Sequence, residues 1–112
     1  MMEAAACGAR SSKGLTVGML PGEDPHSCNS CIDIPIATGL GEMRNFLIVR
    51  SSEALISVGI SPGTLIEMAT AVRIGKPLIA LGLEADLPIE VRRARSPEEA
   101  LQFLMDLWRT EK

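Results

Sequence analysis

A buried apolar run that ends in small residues and continues as a helix most constrains how this 112-residue chain can fold. Residues 54–58 are apolar and predict a strand, and residues 65–72 predict a helix. Between them, residues 59–64 are rich in glycine, proline and serine, and we call this segment the anion turn. A strand, a small-residue turn and a helix together direct free backbone N–H groups and the positive helix end at one point, which suits a phosphate.

Short apolar runs alternate with helical patterns along the rest of the chain. We expect strands near residues 15–20, 32–37, 54–58, 77–82 and 91–95, and helices near residues 2–13, 42–51, 62–74 and from 96 onward. Pro35 restricts the second run to a short or edge strand. This alternation predicts the α/β class, with a doubly wound parallel sheet, helices on both of its faces and a single domain over residues 1–112.

Composition excludes several classes of partner. The net charge is −3 with no basic block, and the chain has one Trp, two Phe and no Tyr, which argues against nucleic acid and anionic membranes. No apolar run approaches the roughly 20 residues that a spanning helix needs. Three cysteines are an odd number, so we expect no disulfide framework and a cytoplasmic location.

The anion turn supplies the first candidate ligand-binding residues. Gly59 and Gly63 permit close approach of a ligand to the backbone, while Ser61 and Thr64 add hydroxyl groups. The alternative is a tight connection between a strand and a helix with no ligand at all. The pattern by itself does not decide between the two interpretations.

Glu67 follows the turn and has two interpretations. Thr64 and Glu67 have the spacing of a capping box, in which the Glu67 carboxylate would accept from the Thr64 backbone N–H. Glu67 also lies one turn beyond the candidate phosphate site, among apolar residues. A carboxylate there could act on the polar centre of a bound ligand and have a shifted pKa.

Arg44 is a cation within the apolar pattern formed by Leu40, Met43, Leu47 and Ile48. A buried guanidinium needs an anionic partner. The structural candidates are the carboxylates of Glu42, Asp33 or Glu67, and the functional candidate is a ligand phosphate or sugar. Just before Arg44, Thr38, Gly39 and Gly41 could supply further backbone donors.

The pair Cys28 and Cys31 has the Cys-x-x-Cys spacing, with His26 nearby. This spacing can hold zinc or form a redox pair. No second pair lies at ligand spacing, and Cys7 would have to join from far along the chain. We therefore predict no metal site and interpret the two cysteines as thiols in a loop.

Four segments together resemble a known family. They are residues 33–45, which contain Thr-Gly-x-Gly-x-x-Arg-Asn, residues 49–56, residues 63–67, which read Gly-Thr-x-x-Glu, and residues 75–82. Their order and spacing are similar to the Rossmann-like family of molybdenum cofactor carrier proteins and Lonely Guy phosphoribohydrolases, often mislabelled lysine decarboxylases. The resemblance covers residues 2–82. It implies a doubly wound sheet, a homo-oligomer of two or four subunits, and a small phosphorylated ligand in the glycine turn.

The two branches of this family imply different functions. In the carrier branch the pocket holds a molybdopterin-type cofactor and no bond is broken. The hydrolase branch cleaves the N-glycosidic bond of a nucleoside 5′-monophosphate without requiring a cofactor, and its functional pair falls on Arg44 and Glu67. Asn45, where hydrolases usually have Lys, favours the carrier branch.

Two departures from the family pattern accompany the resemblance. Ile60 and Ser61 stand at glycine positions, and a β-branched residue such as Ile60 disfavours positive φ. An N-terminal strand-helix-strand unit of the family also has no counterpart in the sequence. These departures leave a third interpretation, a structural remnant with an incomplete site.

Overall fold

A computed structural model describes residues 2–27, 29–84 and 86–111. The elements are α1 (Met2–Ser11), β1 (Val17–Leu20), β2 (Ile34–Ala37), α2 (Arg44–Ser51), β3 (Leu55–Val58), α3 (Pro62–Ile74), β4 (Leu78–Leu81), β5 (Arg92–Ala94) and α4 (Pro97–Glu111). Short 3-10 turns cover Pro25–Ser27 and Gly41–Met43. None of the described helices is both long and apolar enough to cross a bilayer.

The chain divides into two compact units, residues 1–44 and 45–112. In the first unit, β1 and β2 pair in parallel, with Val17 opposite Ile34 and Leu20 opposite Ala37. In the second, β3, β4 and β5 form a parallel sheet with β4 in the centre. All of these pairs are parallel, as the alternating sequence pattern predicts, and the architecture is a Rossmann-like α/β fold.

Helices cover both faces of the three-stranded sheet. Because successive strand residues point to opposite faces, Leu78 and Ala80 of β4 face one side and Ile79 faces the other. The first side packs against α2 and α3, in a buried cluster of Val49, Leu55, Met68, Ala71, Leu78, Ala80 and Leu83. The second packs against α4, in a cluster of Ile79, Ala94 and Ala100. The central strand is buried on both faces, which explains its continuous apolar sequence.

The buried face of α2 differs from the predicted one. Leu40 and Met43 are 48% and 69% exposed, whereas Asn45 and Val49 are buried. The α-helix begins only at Arg44, because Gly41–Met43 forms a 3-10 turn. This change of winding rotates the side chains before Arg44 out of the helical register that the sequence pattern assumes.

A disulfide in the first unit corrects the expectation drawn from the cysteine count. Cys7 of α1 is bonded to Cys31, just before β2, with their Cα atoms 5.0 Å apart. The sequence interpretation of Cys31 as a loop thiol is therefore wrong, because its sulfur is joined to α1 rather than free. Cys28, the other member of the Cys-x-x-Cys pair, lies outside the described residues.

Candidate functional site

The anion turn begins where β3 ends. Gly59 has φ of 71° and its backbone N–H donates to the Leu81 carbonyl at 3.0 Å, which joins the turn to the central strand. Ile60 occupies a family glycine position without the strain expected of it. Lys13 is the one non-glycine residue with positive φ in the part of the chain that the structure describes, so Ile60 does not need a left-handed backbone.

Ser61, rather than Thr64, is the N-cap of α3. Its extended backbone precedes the helix, and its Oγ accepts from the Thr64 N–H at 3.2 Å. The two hydroxyl oxygens lie 2.6 Å apart, and the Thr64 hydroxyl is 3.1 Å from the Ser61 carbonyl. Pro62, at the first helical position, has no N–H. Because the Leu65 N–H donates to the Ser61 carbonyl, the Gly63 N–H is the first-turn donor for which no partner is found among the described residues, and it can donate to an anion.

This cap changes the interpretation of Glu67. A capping box needs the acidic residue three positions after the N-cap. Glu67 is six positions after Ser61, so the predicted capping box of Thr64 and Glu67 is wrong. Glu67 lies half-buried on α3, three residues beyond Thr64. Its action on a ligand stays a prediction.

The predicted donors of residues 38–41 bond to the last residue of β1 and to the loop after it. The Thr38 N–H and hydroxyl both donate to the Leu20 carbonyl, at 3.1 and 2.6 Å. The N–H of Gly39, with φ of 66°, donates to the Gly22 carbonyl at 2.9 Å, and the Gly41 N–H donates to the Pro21 carbonyl at 2.8 Å. These bonds hold residues 38–41 on residues 20–22. A ligand-binding role for Thr38, Gly39 and Gly41 stays a prediction.

The Arg44 side chain forms a hydrogen bond with a backbone carbonyl rather than with a carboxylate. Its Nη1 donates to the Met19 carbonyl of β1 at 2.5 Å. Its Nε is buried and has no hydrogen-bond partner among the residues that the structure describes. Asp33, one of the expected structural partners, binds Thr16 and Arg10 instead. Arg44 and Glu67 belong to different units, and their pairing at one site stays a prediction.

Asp33 is the centre of a polar network beside the disulfide. Its Oδ2 accepts from the Thr16 backbone N–H at 2.9 Å, and its Oδ1 lies 3.4 Å from the Arg10 Nε. The backbone N–H of Thr16 lowers the pKa of Asp33 most strongly; burial opposes this, while the Thr16 hydroxyl and the Arg10 charge lower the pKa further. Arg10 also donates to the Ser30 carbonyl at 2.8 Å, which ties α1 to the segment before β2.

A cavity at the carboxyl ends of β4 and β5 was not predicted from the sequence. It has a volume of about 520 Å³ and is lined by Gly82, Leu83, Glu84, Arg93, Ala94 and Arg95. The sequence signal that could have indicated it is the pair Arg93 and Arg95, which flank Ala94 at the end of the predicted strand 91–95. Arginines on an edge strand are also typical of the exposed charge that protects a sheet edge, so the sequence pattern by itself does not indicate a cavity. Within the described part of the chain, no group of three or more His, Cys, Asp or Glu side chains is placed to hold a metal ion.

Comparisons with known proteins agree with this architecture. The sequence profile described as the SLOG cluster4 family matches residues 1–105. The chain belongs to the SLOG cluster4 family. This confirms the predicted resemblance, because that family fits the Rossmann-like, Lonely Guy-type superfamily. An Archaeoglobus fulgidus protein described as uncharacterized is 45% identical over 104 residues, which are 92% of this chain and 67% of that protein.

Solved structures of molybdenum cofactor binding and carrier proteins superpose closely on the chain. The molybdenum cofactor binding protein from Rippkaea orientalis matches with a TM-score of 0.86 and 38% identity, over 95% of this chain and 70% of that one. A molybdenum cofactor carrier protein from Chlamydomonas reinhardtii matches with a TM-score of 0.83 and 34% identity, over 97% and 71%. The chain therefore spans about 70% of the length of these two proteins.

Proposed function

We propose that this chain binds a molybdenum cofactor-type ligand, a phosphorylated pterin, and carries it without breaking a bond. The observation that carries the proposal is the likeness to the Rippkaea orientalis protein, which is described as binding the molybdenum cofactor. The ligand is cargo in this proposal, and the protein requires no cofactor of its own.

The ligand phosphate would bind at the anion turn. The Gly63 N–H and the positive end of the 13-residue helix α3 face the same point. The Ser61 and Thr64 hydroxyls, which now bond to each other, can rotate to donate to a phosphate oxygen. Gly59 and Gly63 carry no side chain that would block the approach of a phosphate to the backbone.

The proposal is tested by titrating the protein with molybdenum cofactor released from a molybdoenzyme. Bound cofactor is separated by gel filtration and measured as molybdenum and as the fluorescence of the oxidised pterin. Thr64→Val removes one hydroxyl that the proposal assigns to the phosphate, so we expect about tenfold weaker binding. The matched control is Thr70→Val in the same helix, whose hydroxyl donates to the Ile66 carbonyl. Absence of binding by the wild-type chain contradicts the proposal.

The other two interpretations of the sequence receive no comparable support. No observation specifically favours the phosphoribohydrolase, and the Nη1 of Arg44 already donates to a backbone carbonyl. The test is incubation with AMP and measurement of free adenine. We expect none, and adenine release that Glu67→Gln abolishes would replace the carrier proposal. A structural remnant would bind neither AMP nor the molybdenum cofactor.

We also propose that the protein is a cytoplasmic homo-oligomer, a dimer or tetramer. The outer face of α3 supports self-association, because Leu65, Ile66 and Val72 are exposed there. In a reducing cytoplasm, the Cys7–Cys31 disulfide would exchange with cellular thiols rather than persist.

A further inference from the structure

The three strands of the larger sheet end side by side. Val58, Leu81 and Ala94 are aligned across β3, β4 and β5, and the next residues are Gly59, Gly82 and Arg95. Both glycines adopt positive φ, and nothing lies within 4 Å of the point where a Gly82 Cβ would stand. In open parallel sheets, ligands bind beyond this edge. The anion turn covers only the β3 end of it.

The cavity of about 520 Å³ lies at the same edge, beyond β4 and β5. Arg93 of β5 and Arg95, the residue directly after β5, both line this cavity. Arg92 points to the opposite face, where its guanidinium lies 4.1 Å from the centre of the Phe103 ring. Of the two arginines within β5, Arg93 therefore lines the cavity and Arg92 does not.

The two guanidinium groups make few hydrogen bonds to the described residues. Among those residues, the Arg93 guanidinium donates only to the Leu83 carbonyl, from Nη1 at 3.3 Å, although a guanidinium has five N–H donors. Neither Arg93 nor Arg95 forms an ion pair with a carboxylate among the described residues. Glu84 also lines the cavity, so its negative charge offsets one of the two positive charges of Arg93 and Arg95. Protection of a sheet edge needs only exposed charge and does not explain a cavity between two such groups.

We propose that this cavity is a second anion-binding subsite, formed by Arg93 and Arg95, for the distal anionic group of a ligand whose phosphate occupies the anion turn. This inference rests on the proposed phosphate site at the turn. Both β3 and β5 pair with β4, so the two subsites begin about 10 Å apart across the sheet. The ligand class is therefore a molecule with a phosphate at one end and an oxyanion at the other.

The first experiment is a titration of the ¹⁵N-labelled chain with inorganic phosphate, followed by amide NMR, with chloride at equal ionic strength as the control. We expect two groups of signals to shift: Gly63 and Thr64 at the turn, and Gly82 and Ala94 at the cavity. Shifts at the turn alone overturn the second subsite and leave the proposed function intact. Shifts at the cavity alone, or at neither place, overturn the two-point arrangement.

Charge-matched variants separate a local subsite from the general field of the protein. Arg95→Gln removes a charge at the cavity, and Arg92→Gln removes the same charge from the other face of β5. We expect Arg95→Gln to weaken phosphate binding at the cavity about tenfold and to leave the turn signals unchanged. Arg92→Gln should change neither. Equal effects of the two variants overturn the proposal, because they would indicate long-range electrostatics.

A ligand with two anionic groups tests whether the subsites act together. Fructose 1,6-bisphosphate and fructose 6-phosphate differ by one phosphate and serve here as probes, with affinity measured by calorimetry. We expect the bisphosphate to bind wild type at least about tenfold more tightly, and Arg95→Gln to abolish this preference. Arg92→Gln should keep it. Equal affinities for the two probes in wild type contradict a shared ligand.

Discussion

Ser61 is both a candidate ligand-binding residue and the N-cap of α3, whereas the sequence pattern assigned the cap to Thr64. It occupies a position where the family has glycine, and it caps α3 through its contact with the Thr64 N–H. A glycine cap would leave that N–H to a ligand, whereas Ser61 satisfies it and offers its own hydroxyl instead. The departure from the family pattern therefore stabilises the helix and, under the proposed function, would change which group meets the ligand phosphate.

Ser61→Ala should affect both stability and binding. Loss of the cap is expected to cost about 1 kcal/mol, or about 4 °C in melting temperature, and to weaken cofactor binding. Ser96→Ala is the matched control, because the Ser96 Oγ caps α4 by accepting from the Glu99 N–H at 3.1 Å. It should lower the melting temperature similarly without weakening binding. Equal loss of binding in both variants would reduce the role of Ser61 to stability.

Asp33 should make the protein sensitive to acid. Its pKa is lowered in the fold, mainly by the Thr16 backbone N–H, so the ionised carboxylate stabilises the folded state. That stabilisation is complete above the unfolded pKa of about 4 and is lost as the pH falls from there through the lower folded value. Melting temperatures from pH 7 to pH 2.5 measure it.

Variants of Asp33 and Arg10 test whether this network causes the acid sensitivity. The melting temperature of Asp33→Asn should lie below that of wild type at neutral pH, and the difference should shrink below about pH 4. Arg10→Gln should have a smaller effect, because the Arg10 charge contributes least to the shift. A difference between Asp33→Asn and wild type that stays constant down to pH 2.5 would contradict the network.

The helix α3 shows what local sequence determines well. Pro62 at its first position, and Gly75 with φ of 77° at its end, are local signals, and the predicted bounds agree with the structure. α2 shows the limit of such signals. Its apolar spacing predicted Leu40 and Met43 as core, but a 3-10 turn precedes the helix and both side chains are exposed. Periodicity assumes one winding throughout, and a local change of winding invalidates it.

The contacts that could not be predicted from the sequence are those between elements far apart in the chain. Cys7 and Cys31 are 24 residues apart, and three cysteines allow several pairings that spacing does not rank. The engagement of Gly39 and Gly41 with residues 20–22 is likewise a tertiary contact. The strand-turn-helix itself could be predicted because its signals lie within a dozen residues.

The disulfide that ties α1 to the start of β2 should stabilise the chain in oxidising buffer. A loop of this length is expected to contribute about 3 kcal/mol, or about 10 °C in melting temperature. Cys7→Ser should lose this, and dithiothreitol should bring wild type to the level of the variant. Cys28→Ser keeps both bonded cysteines and should melt like wild type in oxidising buffer. A wild-type melting temperature that dithiothreitol does not change would contradict the bond.

At the scale of the whole molecule, α3 carries more apolar surface than one chain covers. Met68 and Ala71 are buried against the sheet, yet Leu65, Ile66 and Val72 are exposed on its outer side. Several exposed apolar side chains on one surface are typical of a site of protein–protein contact. A second copy of the chain, packed on this face, would cover it with an equally apolar surface and agrees with the proposed homo-oligomer.

Light scattering after gel filtration tests this assembly. Wild type should have two or four times the monomer mass, and Val72→Glu should shift the mass to that of the monomer, because an ionised carboxylate in an apolar interface would lose its hydration. The matched control is Leu101→Glu, since Leu101 of α4 is 56% exposed, more than the 42% of Val72, but lies on a different helix. It should leave the mass unchanged. A monomeric wild type excludes the assembly, and dissociation by Leu101→Glu instead would place the interface on α4.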